Sequence, residues 1–230
     1  MKREEKERLY DFLETARRYL SGGAEVRRAP PEFEDELDGP TLTARILACE
    51  RCDLAKTRAN VVPGAGVDSP LVMVIGEGPG ADEDASGLPF VGKAGQLLDR
   101  MLASIGISRE TNAFVANIVK CRPPNNRDPE PSEIACCLPW LEAQIALRSP
   151  VAILALGRVA ARTLLGVSTP MGSLHGAFHE YRGIPLMPTY HPSALLRDES
   201  LKRPAWEDLK SFRERLMKVS PAYRGTNEGE

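Results

Sequence analysis

The chain has 230 residues, 42% of them hydrophobic and 27% charged, the composition of one globular domain, which excludes fibrous, collagenous and disulfide-stapled classes. Its 30 Lys and Arg stand against 32 Asp and Glu, a net charge of -2, so it lacks the global basic field of many nucleic-acid binders. The acidic excess sits in residues 1–40, with 8 basic and 11 acidic side chains; residues 41–230 carry 22 and 21, which leaves room for a local basic groove.

Residues 2–20 read as a charged amphipathic helix with Leu9, Phe12, Leu13, Ala16 and Leu20 on one face, stopped by Ser21, Gly22 and Gly23. Residues 29–40 are acidic and proline-bearing and predict a linker. The expected organisation is therefore a helix and linker over 1–40, a working domain over 41–220 and a flexible tail over 221–230. No apolar run follows Met1, so the sequence predicts neither a secretory signal nor a membrane association, and a cytoplasmic location with reduced thiols.

Within the working domain, aliphatic runs at 71–76, 113–119, 151–156 and 184–190 predict strands. Helical periodicity covers 41–48, 93–104, 132–147, 158–165 and 206–218. Strands this continuously aliphatic are buried on both faces, so the predicted fold class is α/β, a three-layer sandwich around a central, mostly parallel four-stranded sheet. Its site belongs at the carboxyl ends of the strands.

Two glycine-rich motifs nearly fit nucleotide sites. Gly76-Glu77-Gly78-Pro79-Gly80-Ala81 passes a loose dinucleotide pattern, yet Pro79 lacks an N–H and Asp82, Glu83 and Asp84 would face the pyrophosphate charge. Residues 87–93 (GLPFVGK) satisfy a phosphate-loop spacing, but Ala94 stands where a hydroxyl must hold magnesium. Both share one long loop, whose glycines, carboxylates and Phe90 need another explanation.

Cys49 and Cys52 form a C-x-x-C pair, and Cys121 and Cys137 can complete a four-thiol metal site. Zinc and a [4Fe-4S] cluster both accept four thiolates, and spacing leaves the choice open. Cys136 and Cys137 are neighbours on a predicted helix and point about 100° apart, so one of the two faces a common centre.

Taken together, residues 76–80 (GEGPG), Glu83 and Asp84, residues 87–95 (GLPFVGKAG), residues 117–124 (NIVKCRPP), Asn126 and Arg127, and residues 191–197 (HPSALLR) closely resemble the family-four uracil-DNA glycosylases, the iron-sulfur branch of that superfamily. The resemblance spans about residues 45–215. It implies a uracil-DNA glycosylase-like fold and a monomeric DNA-repair enzyme that hydrolyses the N-glycosidic bond of uracil in single- or double-stranded DNA, leaving an abasic site. It also implies a [4Fe-4S] cluster on Cys49, Cys52, Cys121 and Cys137, with Cys136 spare.

Uracil removal requires a base taken out of the helix, held in a pocket, and relieved of negative charge as its bond breaks. Phe90 offers a stacking face. Asn117 can donate to uracil O4 and accept from N3–H, a polarity that cytosine reverses. His191 is positioned by the family motif to donate to O2 as the anion leaves. Gly76, Glu77 and Gly78 are expected to contact uracil through their backbone.

The wider superfamily places Asp or Asn just before the proline of the first motif, where this chain has Gly78; Glu77 is therefore the first candidate to orient water, ahead of Asp82, Glu83 and Asp84. Lys120, Arg122 and Arg127 beside Cys121, and Arg197 with Lys202 and Arg203 after His191, are candidates for phosphate contacts. Leu195 and Leu196 are candidates to wedge into the space that the base vacates. Alternatives are a covalent or a non-catalytic iron-sulfur uracil-DNA binder, although residues 121–129 contain no histidine that would form the adduct, and, more distantly, a nucleotide-dependent enzyme.

Overall fold

In a run such as Val72–Gly76 every side chain is apolar, so alternate residues can feed two hydrophobic layers at once. The computed structural model describes residues 38–221 and 223–225 and shows this arrangement; the expected helix over 2–20 and most of the linker lie outside the described residues. Val72 and Val74 pack with Leu98, Leu102, Leu209 and Phe212 on one face, whereas Met73 and Ile75 pack with Leu42, Ile46, Leu141 and Leu164 on the other. Strands β1 (Ala65–Gly66), β2 (Val72–Gly76), β3 (Ala113–Asn117), β4 (Ala152–Leu156), β5 (His179–Tyr181) and β6 (Ile184–Thr189) form one sheet in the order β1-β3-β2-β4-β6-β5.

The four central strands are parallel, as the aliphatic runs predict; β1 and β5 add short antiparallel edges. The chain steps from β2 to β3 on one side, then crosses to β4 on the other, creating the topological switch point at which such sheets bind ligands. Register sets Gly76 beside Asn117 and Leu156 beside Thr189, so the loops after all four strands gather at one rim.

Helices α1 (Gly39–Leu47), α2 (Ala81–Ser86), α3 (Lys93–Ala103), α4 (Pro131–Arg148), α5 (Gly157–Leu165), α6 (Met171–Leu174), α7 (Pro192–Arg197) and α8 (Lys202–Val219) flank the sheet. The linker boundary moves: Asp38 accepts the Thr41 N–H at 2.8 Å and caps α1, drawing Gly39 and Pro40 into the helix. Helix α8 starts before Pro204 because a proline in the first turn sacrifices no intrahelical hydrogen bond. Within the expected tail, Tyr223 is buried and its hydroxyl donates to the Ile105 carbonyl, while residues 226–230 lie outside the described residues. Among the described residues no helix is long and apolar enough to cross a membrane.

Candidate active site

The floor of the site is the end of β2. A Cβ on Gly76 would stand 2.5 Å from Asn117 Oδ1 and 2.5 Å from Phe90 Cζ, so only a glycine lets both side chains close over the strand. Asn117 is 2% exposed, and its Oδ1 has no hydrogen-bond partner. Leaving a buried acceptor unpaired costs about 1–3 kcal/mol, which marks this oxygen as waiting for a donor.

Phe90 is buried and takes φ +54°, a left-handed conformation that costs a bulky residue about 1–3 kcal/mol. The surrounding loop holds it there. Glu83 accepts the N–H groups of Val91 (3.0 Å), Gly92 (3.2 Å) and, through its other oxygen, Gly80 (3.0 Å). A Cβ on Gly95 would lie 1.9 Å from the Phe90 carbonyl oxygen, so α3 must present glycine there. Asp84 accepts from Ala59 N–H at 2.9 Å and Asn60 N–H at 3.2 Å. Glu83 and Asp84 are thus committed to backbone amides, which corrects their reading as carboxylates that orient water.

His191 follows β6 and caps α7. Its Nδ1 accepts the Ser193 N–H at 3.1 Å and lies 2.8 Å from Ser193 Oγ. An accepting Nδ1 carries no proton, so in the neutral ring the hydrogen-bond pattern assigns the proton to Nε2. Burial, reinforced by the Arg197 charge, pushes its pKa down to about 4, and the ring is neutral at physiological pH. Its centroid lies 5.5 Å from that of Phe90. Gly157, at φ +83°, opens α5 directly behind it; a Cβ there would meet His191 Cβ at 2.9 Å.

The rim therefore brings Gly76, Phe90, Asn117 and His191 together. Glu77 leaves the same strand end half-buried, and burial together with the nearby Asp128 charge raises its carboxyl above the usual range, against a smaller opposing pull from Arg158. The Gly76 and Glu77 carbonyls are already bonded to Ile118 and Val119 N–H at 2.9 and 3.1 Å. A Cβ at Gly78 would meet Val119 Cγ2 at 2.8 Å, so the position that departs from the superfamily pattern is also tight.

The cations divide. Lys120 is 2% exposed, with Nζ donating to the Asn117 carbonyl at 2.9 Å and to Gln144 Oε1 at 2.7 Å, and burial lowers its pKa to about 8. It is a buried brace beneath Asn117, which corrects its reading as a phosphate contact. Arg127 makes a two-pronged pair with Glu133, at 2.8 and 2.6 Å, and Arg122 donates to Asn126 Oδ1 at 2.7 Å. Arg197 is exposed in the last turn of α7. Of the two wedge candidates Leu195 is in the core, whereas Leu196 is 47% exposed. Sequence reasoning missed Gly157, Ser193 and Arg158, which pairs with Asp128 and faces Glu77; the glycine that follows β4 was the available signal.

The thiols meet beneath α4. Cys49, Cys52, Cys121, Cys136 and Cys137 line one cavity with Trp140 and Arg58. Three N–H groups aim at sulfur: Lys120 N–H at Cys137 Sγ (3.2 Å), the Arg58 guanidinium at Cys121 Sγ (3.2 Å) and Trp140 Nε1 at Cys49 Sγ (3.3 Å). Burial pushes Cys52 up to about 11 and Cys137 up to about 12, so these thiols ionise only when a cation draws off their protons. Among the described residues no three Cys, His, Asp or Glu groups converge on a single ion. Thiols lining one cavity, with N–H donors on three of their sulfurs, fit the donor set of a thiolate-bound metal centre such as an iron-sulfur cluster.

Comparison with known proteins identifies the family. The family model of the uracil DNA glycosylase superfamily matches residues 63–210. The type-4 uracil-DNA glycosylase of Pyrobaculum aerophilum is 41% identical over 184 residues, covering 76% of this chain and 93% of that protein. The type-4 uracil-DNA glycosylase of Thermotoga maritima is 40% identical over 181 residues, covering 77% and 94%. A type-5 uracil-DNA glycosylase of Pyrobaculum aerophilum is 30% identical over 183 residues, covering 66% and 80%. The chain belongs to the uracil-DNA glycosylase superfamily and, within it, to the type-4 uracil-DNA glycosylases.

Proposed function

We propose that this protein is a DNA-repair glycosylase that hydrolyses the bond between uracil and deoxyribose, and that the rim of Gly76, Phe90, Asn117 and His191 is where it does so. The observation that carries this reading is the buried, unpartnered Asn117 Oδ1, which closes with the Phe90 ring over Gly76 at the end of β2. Oδ1 accepts from uracil N3–H, and Nδ2 donates to O4. Cytosine presents an acceptor and a donor at those two places, so the same pocket would leave both pairs mismatched. Phe90 stacks on the extruded ring, at about 1–3 kcal/mol per base.

His191 donates Nε2–H to O2 as the glycosidic electrons pass to the ring, so the base departs as a stabilised anion. A neutral imidazole serves because it needs only a directed N–H, which the Ser193 contact fixes. Water then adds to the sugar carbon, with Glu77 positioning it and taking its proton; the raised pKa suits a proton acceptor. Arg122, Arg127 and Arg197 contact phosphates, and Leu196 fills the vacated stack.

A [4Fe-4S] cluster held by Cys49, Cys52, Cys121 and Cys137 would supply a covalent tie between the segment after α1 and the loop after β3. Lys120 carries that tie towards the pocket, since its N–H bonds Cys137 Sγ and its Nζ bonds the Asn117 carbonyl. The reading takes the protein as a cytoplasmic monomer acting on single- or double-stranded DNA. Incubation with a uracil-containing oligonucleotide followed by alkali should produce strand breaks at the uracil; intact strands from both substrates would contradict it. Anaerobically purified protein should be brown, with absorbance near 400 nm, roughly as thiolate-bound iron gives.

A further inference from the structure

We propose that Arg109 is a positioning residue for uracil excision: it holds Phe90 in the left-handed backbone conformation that turns its ring over the pocket. The proposal rests on reading Phe90 as the stacking face for the base. A phenylalanine does not keep φ +54° by itself, so the surrounding structure must impose it. Arg109 Nη1 donates to the Pro89 carbonyl at 2.9 Å and Nη2 to the Phe90 carbonyl at 3.3 Å. The guanidinium is itself fixed by Asp99 Oδ1, 3.0 Å from Nε and 2.6 Å from Nη2.

The Arg109 side chain is only 17% exposed, so these bonds form with little competition from water. It lies 19 residues from Phe90 in sequence, before β3, and its hydrogen bonds go to the Phe90 loop and α3. Its effect on the site therefore passes through the loop. Glu83 grips the amides on the other side of Phe90, so the strained residue sits between an anion that accepts from Val91 and Gly92 and a cation that donates to Pro89 and Phe90. Arginine suits this place because its planar fork reaches two successive carbonyls while Nε keeps Asp99; a lysine ammonium is a single point charge.

The test compares wild type, Phe90→Ala, Arg109→Lys, Arg109→Ala and the Phe90→Ala/Arg109→Ala double variant. Each is measured for kcat/KM on a single-stranded uracil oligonucleotide, inhibition by free uracil, affinity for the same oligonucleotide without uracil, and thermal unfolding. Arg109→Ala should raise the uracil inhibition constant and lower kcat/KM by about tenfold, the share of a base stack lost. Arg109→Lys should recover part of both, uracil-free DNA should bind unchanged, and the double variant should be no worse than Phe90→Ala alone. Losses that multiply in the double variant, or a folded Arg109→Ala with unchanged uracil inhibition, overturn the proposal. If Arg109→Ala does not fold, Arg109→Lys decides in the same way: its partial loss must vanish in the Phe90→Ala background. A Phe90→Ala variant with wild-type constants overturns the stacking reading and this proposal together, whereas a defective Phe90→Ala beside an unaffected Arg109→Ala overturns this proposal alone.

Discussion

Asn117 and His191 make opposite demands on their surroundings. Asn117 is held with an acceptor unpaired, so truncation breaks no hydrogen bond to Oδ1 within the folded protein. Asn117→Ala should lower kcat/KM by about 100-fold or more while leaving the unfolding midpoint close to wild type. His191 is held neutral: its folded pKa of about 4 lies below the ordinary imidazole value near 6.5. A depressed folded pKa contributes stability that is complete above pH 6.5 and is lost as pH falls towards 4. Discounted for the open edge of the ring, about 1–3 kcal/mol should disappear over that window, and His191→Gln should remove this part of the acid destabilisation in denaturant titrations at stepped pH. A wild-type activity limb near pH 6.5 assigned to His191 would contradict the assignment. Lys120 shows what sequence adjacency hides: it stands between Val119 and Cys121 among residues that look like a basic run, yet its ammonium is directed inward to Asn117 and Gln144.

The loop between β2 and α3 behaves as a built element rather than a connection. Its carboxylates read as candidates for chemistry because acidic clusters beside glycines often serve it, but Glu83 and Asp84 satisfy five backbone N–H groups between them. Glu83→Gln keeps one accepting oxygen where the carboxylate had two, so its NH2 is left facing either the Gly80 N–H or those of Val91 and Gly92. It should destabilise the protein by about 1–3 kcal/mol and expose the loop to limited proteolysis before global unfolding. The central strands were legible because burial on both faces leaves an uninterrupted aliphatic record. Edge strands β1 and β5, of two and three residues, were not, since so short a segment carries no period. Helices α2 and α7 escaped notice for a related reason: each has six residues and opens beside glycine or proline, the residues that otherwise signal turns.

At the scale of the molecule, the near-neutral charge acquires a meaning. Lys120 is buried, so the candidates for phosphate contact are few: Arg197, exposed in α7, Arg122 close to Cys121, and Arg127, which is shared with Glu133. Affinity for uracil-free DNA should be modest and steeply salt-dependent; Arg197→Ala should reduce the slope of log affinity against log salt by about 1, whereas Lys120→Met should leave it unchanged. The constellation of Phe90, Asn117 and His191 was legible through the family motifs, while Arg109 and Arg158 were not, because contacts formed across 19 and 30 residues leave no local pattern. The central claim is that one pocket recognises and releases uracil. It is tested most directly by measuring free uracil released from oligonucleotides that differ only in carrying uracil, cytosine or thymine at one position. The account predicts stoichiometric uracil release with an alkali-labile site and no release from the other two; tight binding of the uracil strand without release would contradict it.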